Sequence, residues 1–339
     1  MFGLDESDKA HRVGFILVPD FSMMAFASAT EPLRLANRAS GETLFSCESY
    51  SLDGKPVTAS NGVTVEVDKP LSEAGRPHTL FVCAGVDVEK QATPELMNLI
   101  RRYSSHGASI GSLCTGTYIL AKAGLLDGYR CTMHWENLPA FREEFPDIEA
   151  SLELFEIDRS RYTCAGGTAA LDMMLTMIVF QGETALASEV AEMMIHHHIR
   201  ESKEGQRMDL RSRLGITHPK LLKVIELMEE NVEEPIGSTE LAQMVGMSSR
   251  QLERLFRKYL NYAPTRYYLE LRLNRSRFLL LQTSMSVLSV ALACGFISAS
   301  HFSKCYREHF KRTPSEERRP QLPGKSQSSA PGEDKAPLD

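Results

Sequence analysis

The chain has 339 residues, 42% of them hydrophobic and 24% charged, which is an ordinary composition for a globular protein and enough length for two domains. It has no run of roughly eighteen apolar residues and no basic-then-apolar leader, so we expect neither a membrane span nor a secretion signal. Seven Cys residues without a CxxC pair indicate neither a disulfide framework nor a zinc site, and we predict no metal and no cofactor.

The first two thirds of the chain alternate between strand and helix patterns. Continuous apolar runs at residues 13–19 and 79–84 are typical of strands buried on both faces. This alternation predicts a doubly wound α/β domain at residues 11–200, with a mostly parallel, flavodoxin-like sheet. Further strands are predicted at 43–52, 63–67 and 108–113, and helices at 21–38, 94–106, 168–180 and 184–200. His196, His197 and His198, at the end of the last helix, are expected to be a cap or surface group.

The last third of the chain differs from the first two thirds in net charge. Residues 1–217 hold 20 Lys and Arg against 30 Asp and Glu, a net charge of −10, whereas residues 218–319 hold 16 against 11, a net charge of +5. An acidic body carrying a basic module is typical of a protein with one nucleic-acid-binding end. The polar, aperiodic residues 201–218 predict an interdomain linker, and the Pro- and Ser-rich residues 320–339 predict a disordered tail.

One short pattern occurs twice in the basic region. Ala242 precedes Gly246 by four residues, and Ala291 precedes Gly295 by four. After each Gly, a Ser-rich turn leads into a helix whose apolar positions match at an offset of 50. The duplication predicts an all-α domain at residues 219–319, with helix-turn-helix units at 238–259 and 285–308 and a connecting helix at 265–281.

The outward faces of the two second helices carry side chains suited to nucleic acid. Arg and Gln make paired hydrogen bonds to base edges, and Lys and Arg suit phosphates. A protein-binding domain with a solvated basic face is the alternative, but the duplication favours DNA. The candidate residues are Ser249, Arg250, Gln251, Arg254, Arg257 and Lys258 in the first unit, and Ser300, His301, Ser303, Lys304 and Arg307 in the second.

These units resemble the AraC/XylS family of transcription regulators, most clearly in the sequence ALACGFISASHFSKCYREHFKRTPSE. The resemblance implies two recognition helices that enter successive major grooves of double-stranded DNA, roughly 34 Å apart. One monomer would then read two short boxes. Together with the free thiols, this function implies a cytoplasmic location.

A second motif lies in the α/β region. A strand, then GSLCTG, then a helix has the layout of a nucleophile elbow, with Cys114 on the tight turn. We expect the helix dipole to lower the pKa of the Cys114 thiol. The backbone N–H groups from Cys114 through Thr115 to Gly116 are candidates for holding a carboxylate.

The stretch around Cys114 resembles the class I glutamine amidotransferase-like superfamily, including its intracellular-protease-like branch, over about residues 11–200. The resemblance places Cys114 at the elbow position and Glu31 at the acidic position that faces it. In that branch a His follows the Cys directly, whereas Thr115 stands here. A Cys nucleophile is poorly activated when no base is oriented toward it. We therefore expect a degenerate site and no catalysis. The alternative is a Cys114-dependent hydrolase or deglycase fused to a DNA-binding module.

Amidotransferase-like domains joined to AraC-type ends resemble a regulator subfamily that senses small nitrogenous metabolites such as glycine betaine, carnitine or arginine. The resemblance implies an effector pocket, and an activator of a catabolic operon that contacts RNA polymerase. We expect a homodimer, with residues 184–200 as a candidate interface; a constitutive DNA-binding protein whose first domain only dimerises is a third hypothesis. Trp135, with Phe21 or Tyr118, is expected to face a cationic amine. The candidate pocket residues are Glu31, Cys114, Thr115, Gly116, His134 and Trp135.

Overall fold

The structure is a computed structural model that describes residues 10–283 and 285–318. The predicted tail at residues 320–339 lies outside the described residues. Within the described part, no helix combines the length and the apolar character needed to cross a bilayer.

The N-terminal half contains eleven described strands. The strands are β1 His11–Leu17, β2 Phe45–Ser51, β3 Val57–Thr58, β4 Thr64–Val65, β5 Lys69–Pro70, β6 Thr79–Cys83, β7 Ser109–Leu113, β8 Cys131–Thr132, β9 Ala150–Ser151, β10 Phe155–Asp158 and β11 Arg161–Cys164. Seven of them form one sheet in the order β10-β11-β7-β6-β1-β2-β5, in which only the β10–β11 pair is antiparallel. The predicted mostly parallel α/β domain is therefore confirmed. The strand expected at 63–67 is shorter than predicted, because β4 has two residues, which pair with β3 in a hairpin separate from the main sheet.

Helices cover both faces of this sheet. The helices are α1 Met23–Ser40, α2 Val88–Gln91, α3 Pro94–Ser105, α4 Gly116–Lys122, α5 Leu138–Glu144, α6 Ala169–Phe180 and α7 Thr184–Met193. Phe15 and Leu17 of β1 pack with α1, α6 and α7, while the intervening Ile16 packs with α3, α4 and α5 on the other face. Two buried faces explain why β1 reads as a continuous apolar run.

The last predicted helix of this half, residues 184–200, is wrong beyond Met193. Ile195 has a left-handed backbone, with φ of 56°, which ends the helical path. The chain then turns back onto α6, where Asp172 is fully buried. Asp172 accepts hydrogen bonds from His196 Nε2 (2.8 Å) and from the Arg200 backbone N (2.9 Å) and guanidinium (2.6 and 3.0 Å). His196 is therefore tied to a buried carboxylate, which corrects the expectation of a cap or surface group.

The predicted linker at residues 201–218 is packed against its neighbours. The Gln206 side-chain amide donates to the carbonyl oxygens of Met133 (3.0 Å) and Glu153 (2.9 Å) in the α/β domain. A short helix, α8 Leu210–Leu214, follows, and Ile216 is 1% exposed in the core of the C-terminal half. The segment is therefore packed against both halves of the chain, and its limits as an interdomain linker stay a prediction.

The C-terminal half is all helical, as predicted. Its helices are α9 Pro219–Glu230, α10 Ser238–Met244, α11 Ser249–Leu260, α12 Pro264–Gln282, α13 Val287–Ala293, α14 Ala299–Phe310 and α15 Pro314–Glu317. The α10–α11 and α13–α14 pairs are the two helix-turn-helix units, and α12 connects them. Their turns contain Gly246 and Gly295 in the left-handed region, with φ of 63° and 71°. The exact domain limits of 11–200, 201–218 and 219–319 stay predictions.

The two units share caps and core positions. Ser248 caps α11, and Ser298 caps α14, each by accepting a hydrogen bond from a backbone N–H three residues on. Leu252 and Phe256 are fully buried in the first unit, and Phe302 and Tyr306 are fully buried in the second. These pairs stand 50 residues apart, so the repeat seen in the sequence is a repeat of structure.

Candidate functional sites

Cys114 lies between β7 and α4 on a tight, strained turn. Its backbone is left-handed, with φ of 60°, and its N–H donates to the Cys164 carbonyl oxygen at 3.0 Å. Glycines make room for this turn. A Cβ on Gly166 would come within 2.7 Å of the Cys114 Cβ, and one on Gly116 would come within 2.2 Å of the Val82 oxygen. The strand-turn-helix geometry of an elbow is therefore present.

The pKa of the Cys114 thiol differs from the one expected from the sequence. Burial raises its pKa to about 11, and this effect outweighs a backbone hydrogen bond from Thr115 that lowers the pKa. The nearby carboxylate of Glu136 raises the pKa further. The predicted lowering by the helix dipole is wrong because desolvation of the buried thiol dominates. At neutral pH the thiol is protonated.

A cavity of about 860 Å³ opens at the elbow. Four of the residues named from the sequence line it, namely Cys114, Thr115, Tyr118 and His134. The Thr115 hydroxyl donates to the Gly85 carbonyl oxygen at 2.7 Å, and the Tyr118 hydroxyl donates to Glu144 at 3.0 Å. Burial lowers the pKa of His134. Among residues 10–283 and 285–318, no hydrogen bond joins the Cys114 thiol to His134 or to another base.

Other residues named from the sequence lie outside the cavity lining. Glu31 does not line the cavity, and its carboxylate pairs with Arg34 at 2.6 Å. Trp135 is covered by Arg207, whose guanidinium carbon lies 4.6 Å from the ring centroid. Phe21 is fully buried in the core. Gly116 lies against Val82 rather than the cavity.

Sequence reasoning missed a set of acidic residues on one wall of the cavity and a set of basic residues on another. Glu136, two residues after His134, had a weak signal, whereas the others come from segments far apart in the chain. Within the described residues, no group of three or more His, Cys, Asp or Glu side chains could hold a metal ion. The missed charged lining residues are Asp87, Glu89, Lys90, Glu136, Glu144, Arg277, Arg312, Glu317 and Arg318.

Most of the predicted DNA-contacting residues are exposed on α11 and α14. Within the part of the chain that the structure describes, Arg250, Arg254 and Arg257 have no ion-pair partner, so their guanidinium groups are available to a ligand. Gln251 differs, because its Oε1 accepts hydrogen bonds from Ser248 N (2.8 Å) and Oγ (3.1 Å) and so caps α11. The exposed residues are Ser249, Arg250, Gln251, Arg254, Arg257 and Lys258, and Ser300, His301, Lys304 and Arg307, while Ser303 is half-buried.

Comparison with known proteins decides the family. Residues 241–320 match a helix-turn-helix domain family, and residues 11–179 match the DJ-1/PfpI family. The chain is 47% identical over 91% of its length to the HTH-type transcriptional regulator GbdR of Pseudomonas aeruginosa, of which it covers 84%. It is also 44% identical over 94% of its length to the HTH-type transcriptional regulator CdhR of the same species, of which it covers 94%. The chain belongs to the AraC-type transcription regulators with an N-terminal DJ-1/PfpI domain.

The α/β half of this AraC-type regulator also has the fold of solved DJ-1-like proteins. A THiJ/PfpI family protein from Pseudomonas syringae matches 65% of this chain and 87% of its own length, with a TM-score of 0.50 at 22% identity. The protein is thus a DNA-binding transcription regulator, and its relatives above are named as regulators rather than enzymes. Which side chains of α11 and α14 touch bases stays a prediction.

Proposed function

We propose that this regulator binds a small nitrogenous metabolite in the elbow cavity and activates a catabolic operon in response. The supporting observation is the state of Cys114, a protonated thiol with a pKa of about 11 and no hydrogen-bonded base within the described residues. A nucleophile needs an adjacent base or a lowered pKa, and Cys114 has neither. The elbow geometry therefore serves to shape a cavity rather than to catalyse.

The charges in the cavity support a nitrogenous ligand. Glu89 and Glu136 both line it, and burial and the neighbouring Glu144 raise the pKa of Glu89. A cationic amine placed beside Glu89 would offset the desolvation of that carboxylate and its repulsion by Glu144. Tyr118 adds an aromatic ring at the same wall, with its own hydroxyl held by Glu144.

The proposal also includes a homodimer and a contact with RNA polymerase. Apolar side chains exposed at the ends of α6 and α7, Phe180 (68%) and Met193 (39%), support an interface on that side of the α/β domain. The predicted interface at residues 184–200 is retained only for α7, because the chain beyond it turns back onto α6. An activator bound at a promoter needs a surface for RNA polymerase, which we assign to the DNA-binding half.

A ligand screen tests the proposal. Thermal unfolding of the full chain is measured with glycine betaine, carnitine, arginine and the non-nitrogenous control succinate, for the wild type and Cys114→Ala. We expect one nitrogenous compound to raise the melting temperature of both proteins by mass action. Nuclear magnetic resonance of the incubated ligand tests turnover. Consumption by the wild type alone would establish the enzyme alternative, and no stabilisation by any compound would favour a first domain that only dimerises.

A promoter assay tests activation. Operator boxes are first selected from random DNA by the purified protein, and a selected site is placed upstream of a reporter. We expect reporter output to rise with the stabilising ligand, while operator affinity changes little. A fall in output with the ligand would make the protein a repressor.

A further inference from the structure

The cavity at Cys114 is closed on one side by the DNA-binding half of the chain. Arg277 and Leu281 of α12 and Arg312, Glu317 and Arg318 near α15 all line it. The two halves meet where α5 packs on α12, and Ala140 of α5 belongs to the same buried cluster as Leu273, Leu279 and Phe296 of the C-terminal half. A residue of the sensor domain is thus part of the core of the second helix-turn-helix unit.

The wall contributed by the DNA-binding half is positively charged. Arg277 donates to Glu317 at 3.0 Å and lies over the Phe310 ring, so it is committed within its own domain. Arg312 reaches the same Glu317 oxygen only at 3.9 Å. Arg318 donates to the carbonyl oxygens of Leu280 and Met285, which orient the guanidinium without neutralising it. This wall therefore carries three arginines and one carboxylate, Glu317, which pairs with Arg277 and Arg312 but not with Arg318.

The opposite wall is negatively charged. Asp87 pairs with Lys90, and Glu144 pairs with Lys122, whereas Glu89 and Glu136 have no Lys or Arg partner among the described residues. The cavity is thus lined by four carboxylates from one domain, two of which have no Lys or Arg partner in the described part of the chain, and by three arginines and one carboxylate from the other. A molecule with separated positive and negative groups would satisfy both, whereas a simple cation or anion would satisfy one.

We propose that the effector pocket is shared between the domains, and that a dipolar metabolite bridges them with its carboxylate against Arg312 and Arg318 and its cationic group toward Glu89 and Glu136. This inference rests on the proposed effector site. Bound between the walls, such a ligand stabilises the docked arrangement of the DNA-binding domain on the sensor domain. Ligand affinity and domain docking are then linked, and each strengthens the other by the same factor.

Calorimetric titration with a matched pair of probes tests the basic wall. Glycine betaine and choline share a trimethylammonium group, but only glycine betaine has a carboxylate. We expect Arg312→Gln and Arg318→Gln to weaken glycine betaine binding about ten- to a hundred-fold and to leave choline binding unchanged. Lys311→Gln, on the exposed neighbour of Arg312, is the control and should bind like the wild type.

The outcomes separate the two proposals. Binding of glycine betaine that is equal in the wild type and both arginine variants would overturn the shared pocket while leaving the effector site intact. If the wild type binds neither probe, the dipolar ligand class fails together with the proposed effector. In that case, alkylation of Cys114 tests without any ligand whether the second domain closes the cavity.

Alkylation of Cys114 by iodoacetamide, followed by mass spectrometry, reports whether the DNA-binding domain covers the cavity. Ala140→Arg places a charge in the contact between α5 and α12, and we expect Cys114 to react several-fold faster. Ala27→Arg, on an exposed position of α1, is the matched control and should react like the wild type. Cys83 and Cys164 are buried in the same domain and should stay protected, which shows that the domain is folded. An unchanged rate at Cys114 in a folded Ala140→Arg variant would refute the closure.

If Ala140→Arg exposes Cys83 and Cys164, the fold itself has failed, and Leu281→Lys replaces it. Leu281 is 53% exposed on the far wall of the cavity, so this substitution leaves the sensor core untouched. We expect the same several-fold faster alkylation of Cys114, and an unchanged rate would again refute the closure.

Discussion

The two turn glycines are equivalent in the repeat but not in their surroundings, so the same substitution should have different effects at each. Both have a left-handed backbone, which costs an Ala about 1–2 kcal/mol. A Cβ on Gly246 would meet only the end of the flexible Lys220 side chain, at 3.6 Å. A Cβ on Gly295 would lie 2.6 Å from the Pro235 ring and 2.7 Å from the Val232 carbonyl oxygen. Overpacking of this kind adds about 1–3 kcal/mol.

We therefore expect Gly246→Ala to cost about 1–2 kcal/mol and Gly295→Ala about 2–5 kcal/mol. Amide hydrogen exchange of the full chain, measured by mass spectrometry, resolves the two units. Peptides from α13 and α14 in Gly295→Ala should exchange about tenfold or more faster than the corresponding peptides from α10 and α11 in Gly246→Ala, each relative to wild type. Equal effects, or a larger effect at Gly246, would refute the argument that the Pro235 contact distinguishes the units.

Three further outcomes are expected. Asp172→Asn should lower the free energy of unfolding by about 3 kcal/mol in urea titrations, because it strands a partly buried guanidinium, whereas the exposed-pair control Glu31→Gln should change it by less than about 1 kcal/mol. Arg254→Ala should reduce the discrimination between the preferred base and the other bases at one position of one box by about 1–3 kcal/mol. The control Arg266→Ala, on α12, should leave the selected sequence unchanged. Because its pKa is about 11, Cys114 should alkylate about tenfold faster per pH unit from pH 7 to 10; a plateau near pH 8 would show an ordinary thiol.

Much of the fold was predictable because its signals are local. The apolar positions that recur at an offset of 50 residues align the sequence of α11 with that of α14, because Phe256 and Tyr306 must each face the core of their own unit. Likewise, the Gly residues around Cys114 mark a turn that no larger side chain fits. Each copy of the repeated pattern, like the turn at Cys114, spans fewer than about thirty residues, over which helix and strand periods set the buried face.

The errors arose where distant segments meet. Nothing near Trp135 in sequence indicates that Arg207 covers it, and nothing near Asp172 indicates that Arg200 will turn back onto it. Glu31 was placed by resemblance alone, and its carboxylate pairs with Arg34 outside the cavity lining. The basic wall is the largest omission, because it depends on the packing of α12 against α5, which no single stretch of sequence encodes.

The contact between Arg207 and Trp135 makes the chain its own optical sensor. Trp135 is the single tryptophan of the protein, and the residue over its indole belongs to the segment that joins the two halves. A movement of that segment removes a cation from the ring face and admits water to it. The wavelength and intensity of tryptophan fluorescence from the unlabelled protein therefore report movement of the segment between the domains. They do so in real time and at micromolar concentration, during any titration with metabolite or operator.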